Sequence, residues 1–154
     1  MYMNFYDSIR SGNKEEVKAM IAENPALLEE KDSKGFSPLV LASYNEQHEI
    51  TELLLDSGAD VNALDAAGNT ALMGVCFKGH TQIANLLIQK GADVNIQNSN
   101  GATALIFAAT FGQEKMAELL LQNGADKSLK DSHGKTAYNH AKMQNLTSLA
   151  VKLE

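Results

Sequence analysis

Apolar residues return along this chain at helical spacing, and the whole pattern returns every 33 residues. Ile50, Leu53, Leu54 and Leu55 recur as Ile83, Leu86, Leu87 and Ile88, and again as Met116, Leu119, Leu120 and Leu121. This spacing predicts an amphipathic helix with a wide apolar stripe. A shorter helix is predicted ahead of each, ending at about Tyr44, Phe77 and Phe111. Ser37, Thr70, Thr103 and Thr136 stand two residues before Leu39, Leu72, Leu105 and Tyr138, where an N-cap hydroxyl would accept an orphan N–H of the first turn. Pro38 suits a first helical position, where a missing N–H costs nothing. Gly58, Gly91 and Gly124 read as helix C-caps.

Asp32, Asp65, Asn98 and Asp131 open four in-phase copies, and three residues later stand Gly35, Gly68, Gly101 and Gly134. A glycine there suits a tight turn of positive φ. Gly58-Ala59-Asp60-Val61-Asn62 recurs at 91–95, and as Gly124-Ala125-Asp126-Lys127-Ser128, leading into a hairpin between copies. A register this strict means one supersecondary unit stacked on itself, an extended surface rather than a deep pocket. Binding is therefore expected before catalysis. Leu39, Leu72 and Leu105 are expected in the core, with Ala42, Val75, Ala108, Leu54, Leu87 and Leu120.

These residues resemble the ankyrin repeat family, plainly over 32–154 and more loosely over 1–31. The resemblance implies an all-α solenoid of stacked helix-turn-helix units with β-hairpin tips, curving to the right. It divides one domain into an N-terminal capping repeat (1–31), full repeats (32–64, 65–97, 98–130) and a C-terminal capping repeat (131–154). The family's Thr-Pro-Leu-His motif keeps its Pro once and its His never. Val40, Met73, Ile106 and Asn139 take that place, so the side-chain bridge from His to Thr is expected to be absent. The runs 68–75 and 104–112 resemble small stand-alone bacterial ankyrin proteins, some encoded beside catalase genes.

Both ends read as caps. Phe5, Ile9, Val17, Met20 and Ile21 predict a shorter helix pair turning at Gly12-Asn13, with 24–30 bridging to the regular repeats. At the other end Lys142 stands where Ser43, Cys76 and Ala109 stand, and Lys152 where Leu53, Leu86 and Leu119 stand. Lysines on a stacking face imply that nothing stacks there, so the solenoid is expected to end, the protein to be complete and a monomer.

Composition narrows the classes. The start of the chain has no basic or apolar leader pattern, and no apolar run approaches the ~18 residues of a membrane span. Cys76 is the only cysteine, so no internal disulfide forms, and the cytoplasm is the expected compartment. The net charge of −6 argues against nucleic acid as partner. Residues 1–64 carry 12 acids and 5 bases, residues 65–154 carry 7 and 8. A solvated acidic cap is favoured over an end that steers a basic partner.

Catalytic chemistry is nearly absent. Gly134-Lys135-Thr136 lacks the first glycine of a phosphate loop, with Leu129 in its place. His48, His80, His133 and His140 show no metal spacing; by the family resemblance His80, after Gly79, takes a structural place at the turn between helices, and no Cys or carboxylate set is expected to converge on His133 and His140. Cys76 reads as a buried inert thiol. No cofactor, metal or catalytic residue is assigned.

Variable positions fall at the hairpin tips and first-helix ends, which the family resemblance makes the lining of a concave groove. The candidate contacts are Lys34, Phe36, Tyr44, Asn69, Phe77, Lys78, Asn100, Thr110, Phe111, His133, Lys135 and Met143. Ala66, Ala67 and Ala102 would leave the floor open. Of 9 aromatic residues four lie here, as in an interface hot spot, or else they complete the core. Tyr44, Phe77 and Phe111 are expected on one face, because the period returns equivalent positions to the same side. Three readings of function follow: a non-catalytic module that binds a protein partner, an accessory protein for an oxidative-stress enzyme such as catalase, or, in a eukaryote, a substrate of asparaginyl hydroxylation at Asn62 and Asn95.

Overall fold

Hydroxyl caps start the first helix of every regular repeat. In the computed structural model, which describes residues 4–154, Ser37, Thr70, Thr103 and Thr136 each accept the N–H three residues on, at 3.2–3.3 Å. Residues 1–3, the start of the expected N-terminal cap, lie outside the described residues. The helices so begun are α3 (Pro38–Tyr44), α5 (Ala71–Lys78), α7 (Ala104–Thr110) and α9 (Ala137–Met143). Each is followed by a second helix: α4 (His48–Asp56), α6 (Thr81–Gln89), α8 (Glu114–Gln122) and α10 (Thr147–Leu153). Ahead of them stand α1 (Phe5–Arg10), α2 (Lys14–Glu23) and a short 3-10 helix (Pro25–Glu29) opened by a proline.

The helices form two layers. First helices pack in the sequence α1, α3, α5, α7, α9, and second helices pack alongside as α2, α4, α6, α8. The core runs unbroken between them. Ile9, Val17, Leu54, Val75, Leu87, Ala108 and Leu120 are wholly buried, and Leu39, Leu72 and Leu105 nearly so. Every core position read from the register is buried.

The tips between repeats close as turns. One backbone bond of 2.9 Å spans each, from the N–H of Asp32, Asp65, Asn98 or Asp131 to the carbonyl four residues on. The same four side chains accept the N–H groups two and four residues on, at 2.9–3.0 Å. No strand is formed among the described residues, because each loop is one rung long. Neighbouring tips are tied by Ser99 N to Ala67 O at 3.0 Å and Ser132 N to Asn100 O at 2.8 Å. Gly101 shows why a glycine stands in this turn: φ is +73°, and a Cβ would lie 3.0 Å from Asp131 Cα.

A second set of polar links keys one repeat to the next. Asn62 Oδ1 accepts Asp93 N at 2.8 Å, and Asn95 Oδ1 accepts Asp126 N at 2.8 Å. Their amides donate on to Gly91 O and Gly124 O. Glu29 fills the same role for the N-terminal cap, accepting Asp60 N at 3.0 Å. Ser128 stands at the equivalent place. Its hydroxyl turns back to Asp126 at 2.6 Å.

Two expectations are corrected. The bridge to the capping Thr is absent at Val40, Met73 and Ile106, but Asn139 restores one in the last repeat. Its Oδ1 accepts both Thr136 N at 2.8 Å and Thr136 Oγ1 at 3.0 Å, completing a capping box. Lys152 does not mark a bare stacking face. Its ammonium reaches back to α8, pairing with Glu114 at 2.9 Å and with Glu118. The length of the lysine stem lets its charge leave the position that a leucine fills elsewhere. Lys142 is exposed, while Ser43, Cys76 and Ala109 are wholly buried.

Leu87 sits on α6 between α4 and α8 with no surface exposed. Leu87→Ala is expected to destabilise the fold by about 2–5 kcal/mol through lost burial and the cavity left behind. Denaturant unfolding should show this as a large drop in midpoint, and a change under ~1 kcal/mol would contradict the core assignment.

Candidate functional site

The ends of α3 and α5 put Tyr44 and Phe77 at the same helical position, 33 residues apart. Their rings stack, with centroids 6.4 Å apart and planes 9° from parallel. Phe111 is not their equivalent. It comes 34 residues after Phe77 and is the residue that caps α7, while Thr110 holds the matching place. The one-residue offset turns the ring. Phe111 meets Phe77 edge-on at 4.6 Å and 82°, and lies over Phe107 at 6.3 Å and 14°. The row of rings thus exists, but the period alone does not place its third member. Both geometries are favourable for aromatic pairs. Tyr44 and Phe77 are each 40% exposed and Phe111 46%. These rings lie on the surface, touching one another.

Beside them the tips and first helices enclose a cleft of about 480 Å³. Its apolar wall is Phe36, Val40, Leu41, Tyr44, Met73, Phe77 and Phe107, and Asn69, Thr70 and Lys34 stand toward the tips. Gly74 opens the middle of it. At the equivalent place the neighbouring repeats carry Leu41 and Phe107, so one glycine interrupts a row of large apolar side chains. The variable place held by Leu41, Gly74, Phe107 and His140 lies in mid-helix, away from the tips and the helix ends. The misalignment of residue types at that place was the available signal.

Charge on this face divides into committed and free groups. Asp32 is only 7% exposed, holds two N–H groups of its own turn, and meets Arg10 at 3.5 Å. Asp65 holds its turn and accepts Asn69 Nδ2 at 3.4 Å. Asn98 donates to Asn69 Oδ1 at 2.8 Å, linking two tips. Lys34 and Lys78 are exposed and form no ion pair among the described residues, and Lys78 Nζ lies 5.1 Å from the Tyr44 ring centroid.

The other candidate contacts are dispersed. Thr110 turns its hydroxyl onto Ile106 O at 2.8 Å. Asn100 and His133 are exposed on their tips, and Lys135 is half-buried. Met143 is 56% exposed at the end of α9 and does not line the cleft. Asn62 and Asn95 are engaged in the links between repeats described above.

Two histidines each meet a single carboxylate. His140 Nε2 lies 2.7 Å from Asp131 Oδ2, and His80 Nδ1 lies 3.5 Å from Glu46. Each is a single pair, the first from a helix back to the tip of its own repeat and the second between adjacent repeats. No group of three or more His, Cys, Asp or Glu able to hold a metal occurs among the described residues. Cys76 is wholly buried, and burial pushes its thiol far above the ordinary range. No helix of the described residues is long and apolar enough to cross a membrane.

Comparison with protein families matches residues 6–65 and 58–131 to the model described as ankyrin repeats (3 copies). Comparison with curated proteins gives no significant match.

Two outcomes follow from this geometry. A Cβ at Gly74 would rest 3.5 Å from Tyr44 Cδ2, an ordinary contact. Gly74→Ala should therefore raise stability by about 0.5–1 kcal/mol, the helix-interior penalty of glycine, as read from a thermal or denaturant melt. At Asp131, burial works against the charge, but hydrogen bonds from His140, Lys135 and His133 outweigh it and hold the carboxyl below its ordinary range. A depressed folded-state value gives stabilisation that is full above the unfolded value and is lost as pH falls through the folded one. Asp131→Asn keeps an oxygen for the turn, as Asn98 does, but does not titrate. Stability curves of the two proteins should converge as pH falls from about 6 to about 2, and a gap that stays constant would contradict the assignment.

Proposed function

The chain belongs to the ankyrin repeat family, and on that premise we propose that the face built from its tips and first helices docks a protein partner. Ankyrin repeats are generally protein–protein interaction modules. The observation that carries the reading to this face is the exposed row of Tyr44, Phe77 and Phe111 beside the apolar cleft. Half-exposed aromatics clustered at one place are the usual anchors of an interface, because each removes a large apolar area from water at little conformational cost. The rings are held before any partner arrives. Each restricts its neighbour, so little ordering remains to be done on binding. In this reading the protein works as an adaptor or inhibitor rather than an enzyme, a monomer in the cytoplasm.

The double substitution Phe77→Ala with Phe111→Ala tests it. Both rings stand outside the buried core, so the melting midpoint should move little. Truncating a central aromatic anchor typically costs ~2 kcal/mol or more in binding, so recovery of the native partner by pull-down should be lost. Retained recovery would put the interface elsewhere. Lost recovery together with a collapsed melting transition would show that the rings serve the core.

A further inference from the structure

We infer that the partner segment is acidic and carries one bulky apolar side chain, which fills the notch over Gly74 while carboxylates beside it meet Lys34 and Lys78. This rests on the groove reading above and goes on to the chemistry of the occupant.

The notch supplies the first half. Glycine in a helix interior is unfavourable, and the backbone at Gly74 is ordinary helix with no positive φ to require it. A Cβ would meet only a Tyr44 ring carbon, at 3.5 Å, so no close approach requires it either. What the missing side chain leaves is the cleft between Tyr44, Phe77 and Phe107, floored by Met73, which is 2% exposed. A void of about 480 Å³ with this apolar wall fits a leucine-, methionine- or phenylalanine-sized group and some backbone.

Charge supplies the second half. The protein is acidic overall, at −6, yet the cleft is not: Arg10 and Lys34 line it against Asp32 and Asp65, and Lys78 adds a further positive charge beside it. The second helices of the opposite layer carry eight acidic residues and four lysines. On the groove side, Asp32 and Asp65 accept the N–H groups of their own turns and Asp32 also meets Arg10, Asp131 pairs with His140, and Glu46 stands exposed beside His80. Lys34 lines the cleft and Lys78 lies over its Tyr44 wall, both without a carboxylate among the described residues. An acidic segment would be turned away by the outer layer and drawn to the cleft, an arrangement that orients encounter.

The probe is a phage library of random 12-residue peptides, panned on the intact chain, with one enriched peptide then synthesised and measured by fluorescence anisotropy. Enriched sequences should place Asp and Glu around a single Leu, Met or Phe. Lys34→Glu with Lys78→Glu should weaken the peptide at least tenfold, and affinity should fall with added salt. Gly74→Leu, which places the residue type of Leu41 in the same register position, should abolish binding while the melting midpoint rises or holds. That combination separates a filled notch from a damaged fold. Basic or neutral winners, indifference to the charge reversal, full binding by Gly74→Leu, or equal binding of a single-stranded oligonucleotide would each overturn the inference, as would a library with no binder. The groove reading fails separately. Peptides indifferent to Phe77→Ala with Phe111→Ala would sink both, whereas neutral peptides lost on that change would leave the groove standing and remove only the acidic occupant.

Discussion

Each helix pair buries one apolar face on the pair before it and another on the pair after it, and no pair has a core of its own. That constraint organises the rest of the molecule. Leu54, Leu87 and Leu120 are wholly buried because a neighbour lies on each side, and the same holds for Ser43, Cys76 and Ala109 along the first helices. Stability in such a stack is close to a sum over neighbouring interfaces, so every interface must be made well and the ends must be finished differently. The N-terminal cap shortens its first helix, adds a 3-10 turn and lends Glu29 to the link that Asn62 and Asn95 make further on. At the other end Lys142 faces outward, and Lys152 folds back to seal α8 with its charge.

Apolar burial does not by itself fix how one repeat sits on the next. The polar links do. A side-chain oxygen at Glu29, Asn62 or Asn95 takes an N–H from the following repeat, while the tips exchange a backbone bond at Ala67 and Asn100. These bonds are directional where hydrophobic contact is not, and each removes an unpaired backbone group from the interface. The consequence for function is rigidity along the tips. Tyr44, Phe77 and Phe111 stand at helix ends, where Gln113 Nε2 donates to Phe77 O at 3.2 Å and the rings pack on one another.

The fold was legible because it depends on many equivalent positions. A leucine at one copy could vary and the register would still be read from the others, and the capping hydroxyls, glycines and core residues all lay where the pattern put them. The site was less legible for the opposite reason: it depends on single residues that break the pattern. Phe111 stands one place past its equivalent, and its edge-on contact with Phe77 comes from that offset. Gly74 is silent in any reading of apolar periodicity, since its contribution is a missing side chain. Asn139 reads as the loss of a family histidine, yet its short amide makes the cap bridge that the histidine would have made. Side chains that reach out of their own register position are also hidden from sequence spacing. Lys152 and His140 reach partners that no sequence spacing names, because the contact crosses from one repeat to another or from a helix back to its tip.

Gly74 joins these two kinds of residue into one physical argument. A repeat stack gains from uniformity, since each large apolar side chain on the inner layer covers its neighbours. A binding face needs the opposite, a place where the cover is left off. The chain leaves it off in an internal repeat, with a neighbour packed on each side and buried core beneath. There a helix glycine costs only about 1 kcal/mol, and the surrounding packing absorbs it. The same gap in a terminal repeat would fall on helices already short of neighbours. The position of the notch in the middle of the stack therefore follows from the stacking constraint as directly as the caps at its ends.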